Sequence, residues 1–160
     1  MRLSTLRLSA LCLALASPLG ALAAPLVAGG SLPPLSLDDQ HGKAVSIPAG
    51  ARIVLFAADK AASDLANEVL GNEKPGTLER LQAVYLADIS GMPSLITKMF
   101  ALPAMRALPF PIGLAREPAV LADLPRQKAA VTVIRLADGK VQGIDHARDA
   151  AQLKQLLGLH

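Results

Sequence analysis

The chain has 160 residues, of which 52% are apolar, and carries 16 Lys and Arg against 13 Asp and Glu for a net charge of +3. Its first 23 residues hold Arg2 and Arg7 and no acid, so the remainder is close to neutral at about +1, and an electrostatic case for nucleic acid fails. Trp is absent, the only aromatics are Phe56, Tyr85, Phe100 and Phe110, and the only cysteine is Cys12; stacking platforms for bases or sugars have little to be built from and, after Cys12, disulfides, thiolate catalysis and Cys-ligated metal are excluded.

Arg2 and Arg7 precede an apolar stretch over residues 8–16, followed by Ser17, Pro18, Gly20 and the small residues Ala21 and Ala23. This is the pattern of a secretory signal peptide spanning 1–23, with cleavage after Ala23 and a periplasmic destination. The stretch is too short for a bilayer core of ~30 Å, so no stable membrane anchor is expected. Cys12 directly follows Leu11, where a lipoprotein signal needs a small residue. Residues 24–34 have no helical period and end in Pro33 and Pro34, which gives an extended leader.

One domain is expected over 35–160. It opens with apolar runs at 35–37 and 44–47 on either side of Asp38, Asp39, Gln40, His41, Gly42 and Lys43, the composition of a hairpin turn. Ile53, Val54, Leu55 and Phe56 form an unbroken apolar run, as in a strand covered on both faces, and burying them contributes roughly 6 to 12 kcal/mol before chain entropy is subtracted. Asp59 is the expected N-cap of a helix with Ala62, Leu65, Ala66, Val69 and Leu70 on one face and Gly71 at its end. A polar loop, a helical turn at 77–81 and a strand at 82–86, parallel to the first, complete a right-handed crossover.

Residues 88–111 carry Met92, Leu95, Ile96, Met99, Phe100, Leu102, Met105, Leu108 and Phe110, broken by Pro93, Pro103, Pro109 and Pro111. The prolines predict a helix over 94–101 and a separate turn over 104–108. Short elements are expected at 112–114 (strand) and 119–124 (helical turn), then a strand at 130–134. Asp138 and Gly139 turn the chain into a strand at 141–144, and a helix over 146–157 closes the domain, with Asp149 in its first turn and Gly158 at its end.

This order resembles the thioredoxin fold in its secreted and peroxiredoxin-like variants, and the chain is similar to small periplasmic thioredoxin-like proteins of uncharacterised role. The resemblance rests on the hairpin at 36–48, the strand at 52–56 and the strand with its Asp-Gly turn at 131–141. It implies an α/β three-layer sandwich with a central mixed sheet and an added N-terminal hairpin. The family's Cys-x-x-Cys pair aligns with Ala61, Ala62, Ser63 and Asp64, so both sulfurs are missing, and a hydroxyl at Ser63 cannot replace a thiolate. The family's cis-proline aligns with Ala130, where a cis bond would cost ~3 to 4 kcal/mol, so Ala129–Ala130 is expected to be trans.

Three functions follow in order of preference: a non-redox binding or adaptor protein that holds a periplasmic protein or peptide, a carrier of a small ligand or copper, and an enzyme with an acid–base site around Asp59 and Asp64. The binding candidates are Asp59, Lys60, Ser63 and Asp64 at the helix start and Met99 and Phe100 in the apolar segment. Met92, Met99 and Met105 are soft donors suited to copper(I), with His41 or His146 as a further ligand. Met92, Leu95, Ile96 and Met99 share a helical stripe, however, which predicts that they pack in the core. No cofactor is called for: Gly29 and Gly30 are not flanked by a strand and a helix as a phosphate loop would be, and no Gly-x-Ser-x-Gly turn occurs.

Overall fold

The computed structural model describes residues 25–160, so the expected signal peptide lies outside the described residues. Seven strands form one mixed sheet: β1 (Ser36–Asp38), β2 (Ala44–Ser46), β3 (Ile53–Ala57), β4 (Ala83–Asp88), β5 (Gly113–Ala115), β6 (Val131–Ala137) and β7 (Lys140–Ala147). Their spatial order is β2-β1-β5-β4-β3-β6-β7. β3, β4 and β5 run parallel and every other pair is antiparallel. The unbroken apolar run at the start of β3 is explained by this position, since β3 has a strand on each side and layers above and below.

Alternate residues of each central strand feed two separate cores. On one face, Leu55, Ala57, Tyr85, Ala87, Val131 and Val133 meet helices: α1 (Lys60–Gly71), α2 (Thr77–Arg80), α4 (Leu102–Arg106) and α5 (Ala150–Leu157). On the other, Val54, Phe56, Leu86, Ile134 and Leu136 meet Leu26, Leu121 and Leu124, with Leu32 and Leu35 packed alongside. This third layer contains no long helix. It is built from the leader, which bridges Ser31 to Lys140 at the β7 edge, and from a 3-10 turn over Pro118–Leu121. Gly113 is needed where β5 enters the sheet, because a Cβ there would lie 2.9 Å from the Leu86 side chain.

Several elements depart from the sequence reading for definable reasons. His146 belongs to β7 instead of starting the last helix, and Asp149 is that helix's N-cap, accepting from the Gln152 N–H at 2.8 Å. The Asp138–Gly139 turn forms as expected, with both φ values positive at 51° and 73°, the geometry of a tight hairpin.

The proline-broken segment is one helical run: α3 (Ser94–Ile96), a wide π turn over Thr97–Ala101, and α4. In a regular helix the Pro103 ring would press on the Met99 carbonyl. The wide turn relieves this, and the Leu102 N–H reaches back to the Thr97 carbonyl across five residues. The turn also resets the buried seam, which runs through Thr97, Leu102 and Met105. The apolar stripe expected in the core is therefore outside: Leu95, Met99 and Phe100 are about 60% exposed (64%, 59% and 63%) and Ile96 43%.

This arm is fastened by a residue in the hairpin turn. Gln40 is 2% exposed; its Nε2 donates to the carbonyls of Phe110 (2.7 Å) and Met105 (3.3 Å), and its Oε1 accepts from the Ile112 N–H (2.9 Å). Arg106 donates through Nε to the Gln40 carbonyl at 2.9 Å. Asp39 holds the turn itself, accepting from the His41 and Lys43 N–H groups at 2.7 and 2.9 Å. Gln40→Ala leaves the Phe110 carbonyl and the Ile112 N–H buried without their partner, while the Met105 carbonyl keeps its bond from the Leu108 N–H at 3.1 Å, so the change should cost on the order of 3 kcal/mol in guanidinium denaturation. Exposed Gln142, changed in the same way, should move stability by less than about 0.5 kcal/mol.

Candidate functional site

A groove of about 870 Å³ opens between the start of α1 and the arm. One wall carries Asp59, Lys60, Ser63, Asp64 and Asn67 of the α1 region. The opposite wall carries Met92, Ile96, Phe100, Ala104, Met105 and Leu108. The two candidate regions from the sequence, the helix start and the apolar segment, thus face each other across one space, and Phe100 belongs to both the groove and the exposed stripe. Met99 lies on the stripe but does not line the groove, so of the three methionines only Met92 and Met105 do.

The helix start is shaped by Asp59. One carboxylate oxygen accepts from the Ala62 N–H (2.9 Å), capping α1, and the other accepts from the Ala129 N–H (2.8 Å) in the loop before β6. Ala129 has φ +55°, an unfavourable region for alanine that this bond helps to hold. Partial burial would raise the Asp59 pKa, but hydrogen bonds from Ala129, Ala62 and Ala61 and the nearby Lys128 charge outweigh it and hold it below the usual carboxylate value. Ala129–Ala130 is trans, as expected. At the positions aligned with the redox pair and the cis-proline, the two segments are joined by this carboxylate.

Lys60 and Asp64 pair with each other at 2.5 Å, one helical turn apart and largely exposed. Ser63 is buried at 9%. Behind it, on β4, the Tyr85 hydroxyl is buried without a hydrogen-bond partner. Burial pushes its pKa far above the usual value, and the Asp64 charge adds to the rise.

The sequence reading missed the polar end of the groove. Asp88, at the end of β4, accepts from Arg126 at 3.0 Å and from the Ser90 N–H and hydroxyl at 3.0 and 2.6 Å. Arg126 also donates to the Leu121 carbonyl at 3.0 Å and lies 5.4 Å from the centroid of the Phe56 ring. The available signal was an acid at a strand's C-terminal end, where α/β sheets often place their sites. Of the histidines, His41 is exposed, while His146 is half-buried, with Nδ1 3.1 Å from the Thr132 hydroxyl. That hydroxyl already donates to the Pro125 carbonyl, so Nδ1 is the donor.

Comparison with known proteins places the fold. No family model matches the sequence, and no curated protein does. Among solved structures, the chain is similar to a protein described as a thiol:disulfide interchange protein, DsbE, from Chlorobium tepidum (TM-score 0.55, 15% identity, 82% of this chain and 96% of that one). It is similar to the peroxidoxin BcpB from Mycobacterium tuberculosis (TM-score 0.55, 14% identity, 83% and 95%). It is also similar to a protein described as a thioredoxin from Neisseria meningitidis (TM-score 0.56, 17% identity, 79% and 86%). The protein therefore has a thioredoxin-like α/β fold, as the sequence implied.

Because the folded-state pKa of Asp59 is depressed, its stabilisation is present above the unfolded value of about 4 and fades as pH falls through the folded value. Asp59→Ala should cost about 1 to 2 kcal/mol at neutral pH. The gap between variant and parent in denaturation midpoint should narrow below about pH 4, whereas a gap that stays constant with pH would contradict the charged cap.

Proposed function

We propose that this is a non-redox thioredoxin-like binding protein, exported to the periplasm, that holds a protein or peptide in the groove between α1 and the arm. The observation that supports it is the continuity of the groove with the exposed stripe of Leu95, Ile96, Met99 and Phe100. Contiguous apolar surface of this kind on a folded domain marks an interaction site. The groove is within the size range of binding clefts, but the stripe extends past it, and a small ligand would leave Leu95 and Met99 uncovered.

Thiol–disulfide exchange needs a thiolate, and residues 24–160 contain no cysteine. An acid–base enzyme is disfavoured as well, since the lowered pKa of Asp59 makes it a weak base and both its oxygens are engaged. The second reading, a carrier of a small ligand or copper, is favoured only by the groove's volume and by Met92 and Met105 lining it together.

The protein should not accelerate insulin reduction by dithiothreitol above a no-protein control. Native mass spectrometry of protein purified from the periplasm of its own host should give the mass of a chain beginning at Ala24. A stoichiometric added mass would instead establish the carrier. Met99→Ser with Phe100→Ser should leave stability within about 1 kcal/mol, since both side chains are exposed.

A further inference from the structure

The charge around the exposed stripe is one-sided. Residues 92–111 contain two charged side chains, Lys98 and Arg106, both cationic and both exposed, and no acid. On the facing wall Arg126 is balanced by Asp88 and Lys60 by Asp64, and the charge of Asp59 is offset by the nearby Lys128. The arm therefore presents an apolar strip with uncompensated positive charge, on a chain that is otherwise almost neutral once residues 1–23 are set aside.

Resting on the binding role above, we propose that the occupant is an amphipathic helical segment of a different protein, with an apolar stripe flanked by Asp and Glu. Its apolar side chains would enter the groove beside Phe100 and Ile96, and its acids would meet Lys98 and Arg106. Helix-in-groove docking lays the apolar face of a helix into a groove of this kind, and rim charges of opposite sign set orientation and choice of partner. A second copy is a poor occupant: pairing two arms would bring four cations across one apolar contact with no acid on either arm. A bilayer is poorer too, because the recess between α1 and the arm admits a protruding element and not a flat surface.

The test uses the mature protein and two synthetic peptides, each a single amphipathic helix with the same Leu and Phe stripe, one with Glu and the other with Lys on its flanks. Fluorescence anisotropy should show the Glu peptide binding at least about tenfold more tightly than the Lys peptide at low salt, with the difference shrinking as salt rises. Lys98→Glu, at an exposed position, should reduce that preference at least about threefold, and Met99→Ser with Phe100→Ser should weaken both peptides about tenfold. Equal affinity for the two peptides would overturn the acidic-partner inference while leaving the binding role intact. Binding of neither peptide would remove both. Dimerisation in sedimentation velocity, or stoichiometric binding to phosphatidylglycerol vesicles, that the Met99→Ser and Phe100→Ser changes abolish would overturn the inference in favour of a second copy or a membrane.

Discussion

The fold's functional geometry depends on one buried carboxamide. Gln40 sits in a hairpin turn, yet it satisfies two carbonyls and one N–H of the segment 105–112, some 65 to 72 residues further along the chain. Left alone, the Phe110 carbonyl and the Ile112 N–H would each cost on the order of 1 to 3 kcal/mol in the interior, whereas the Met105 carbonyl also accepts from the Leu108 N–H. By binding all three, Gln40 allows the chain to leave the arm and enter β5 through the core. Phe110 and Ile112 are buried beside it, with Tyr85 tilted against Phe110 at 6.2 Å between ring centroids. The N-terminal hairpin is thus the anchor of the arm, and the arm is one wall of the groove.

At the other wall, Asp59 does a comparable job at closer range. Here the carboxylate spends both oxygens on backbone amides, one in its own helix and one across the gap. The junction becomes a brace facing the apolar surface opposite.

Much of the scaffold was legible in the sequence, because its signals are local. The apolar run of β3, the Asp59 cap, the Asp-Gly turn and the parallel β3–β4 crossover each follow from a few neighbouring residues. What was not legible depends on distant contacts. The composition around Gln40 speaks only for a turn, and nothing near it reveals that its side chain is buried under residues of the arm. The arm failed for a different reason. Periodicity assumes a constant number of residues per turn, and a 3.6-residue period puts Leu95, Met99 and Leu102 on one face. The structure places Leu102 inward and the other two outward, since the π turn falls between them. The groove could be inferred only in halves, because its walls lie 25 or more residues apart in the chain, from Asn67 to Met92 at the nearest.

That wide turn ties the exposed apolar face to the length of the chain. Its extra residue rotates everything upstream by about 100° relative to α4. Deleting Lys98 alone would remove the extra residue and turn Leu95 toward the buried seam without altering it, but it would also press the Pro103 ring on the Met99 carbonyl that the wide turn now clears. Chain length, as much as side-chain identity, therefore specifies which face of this segment is exposed.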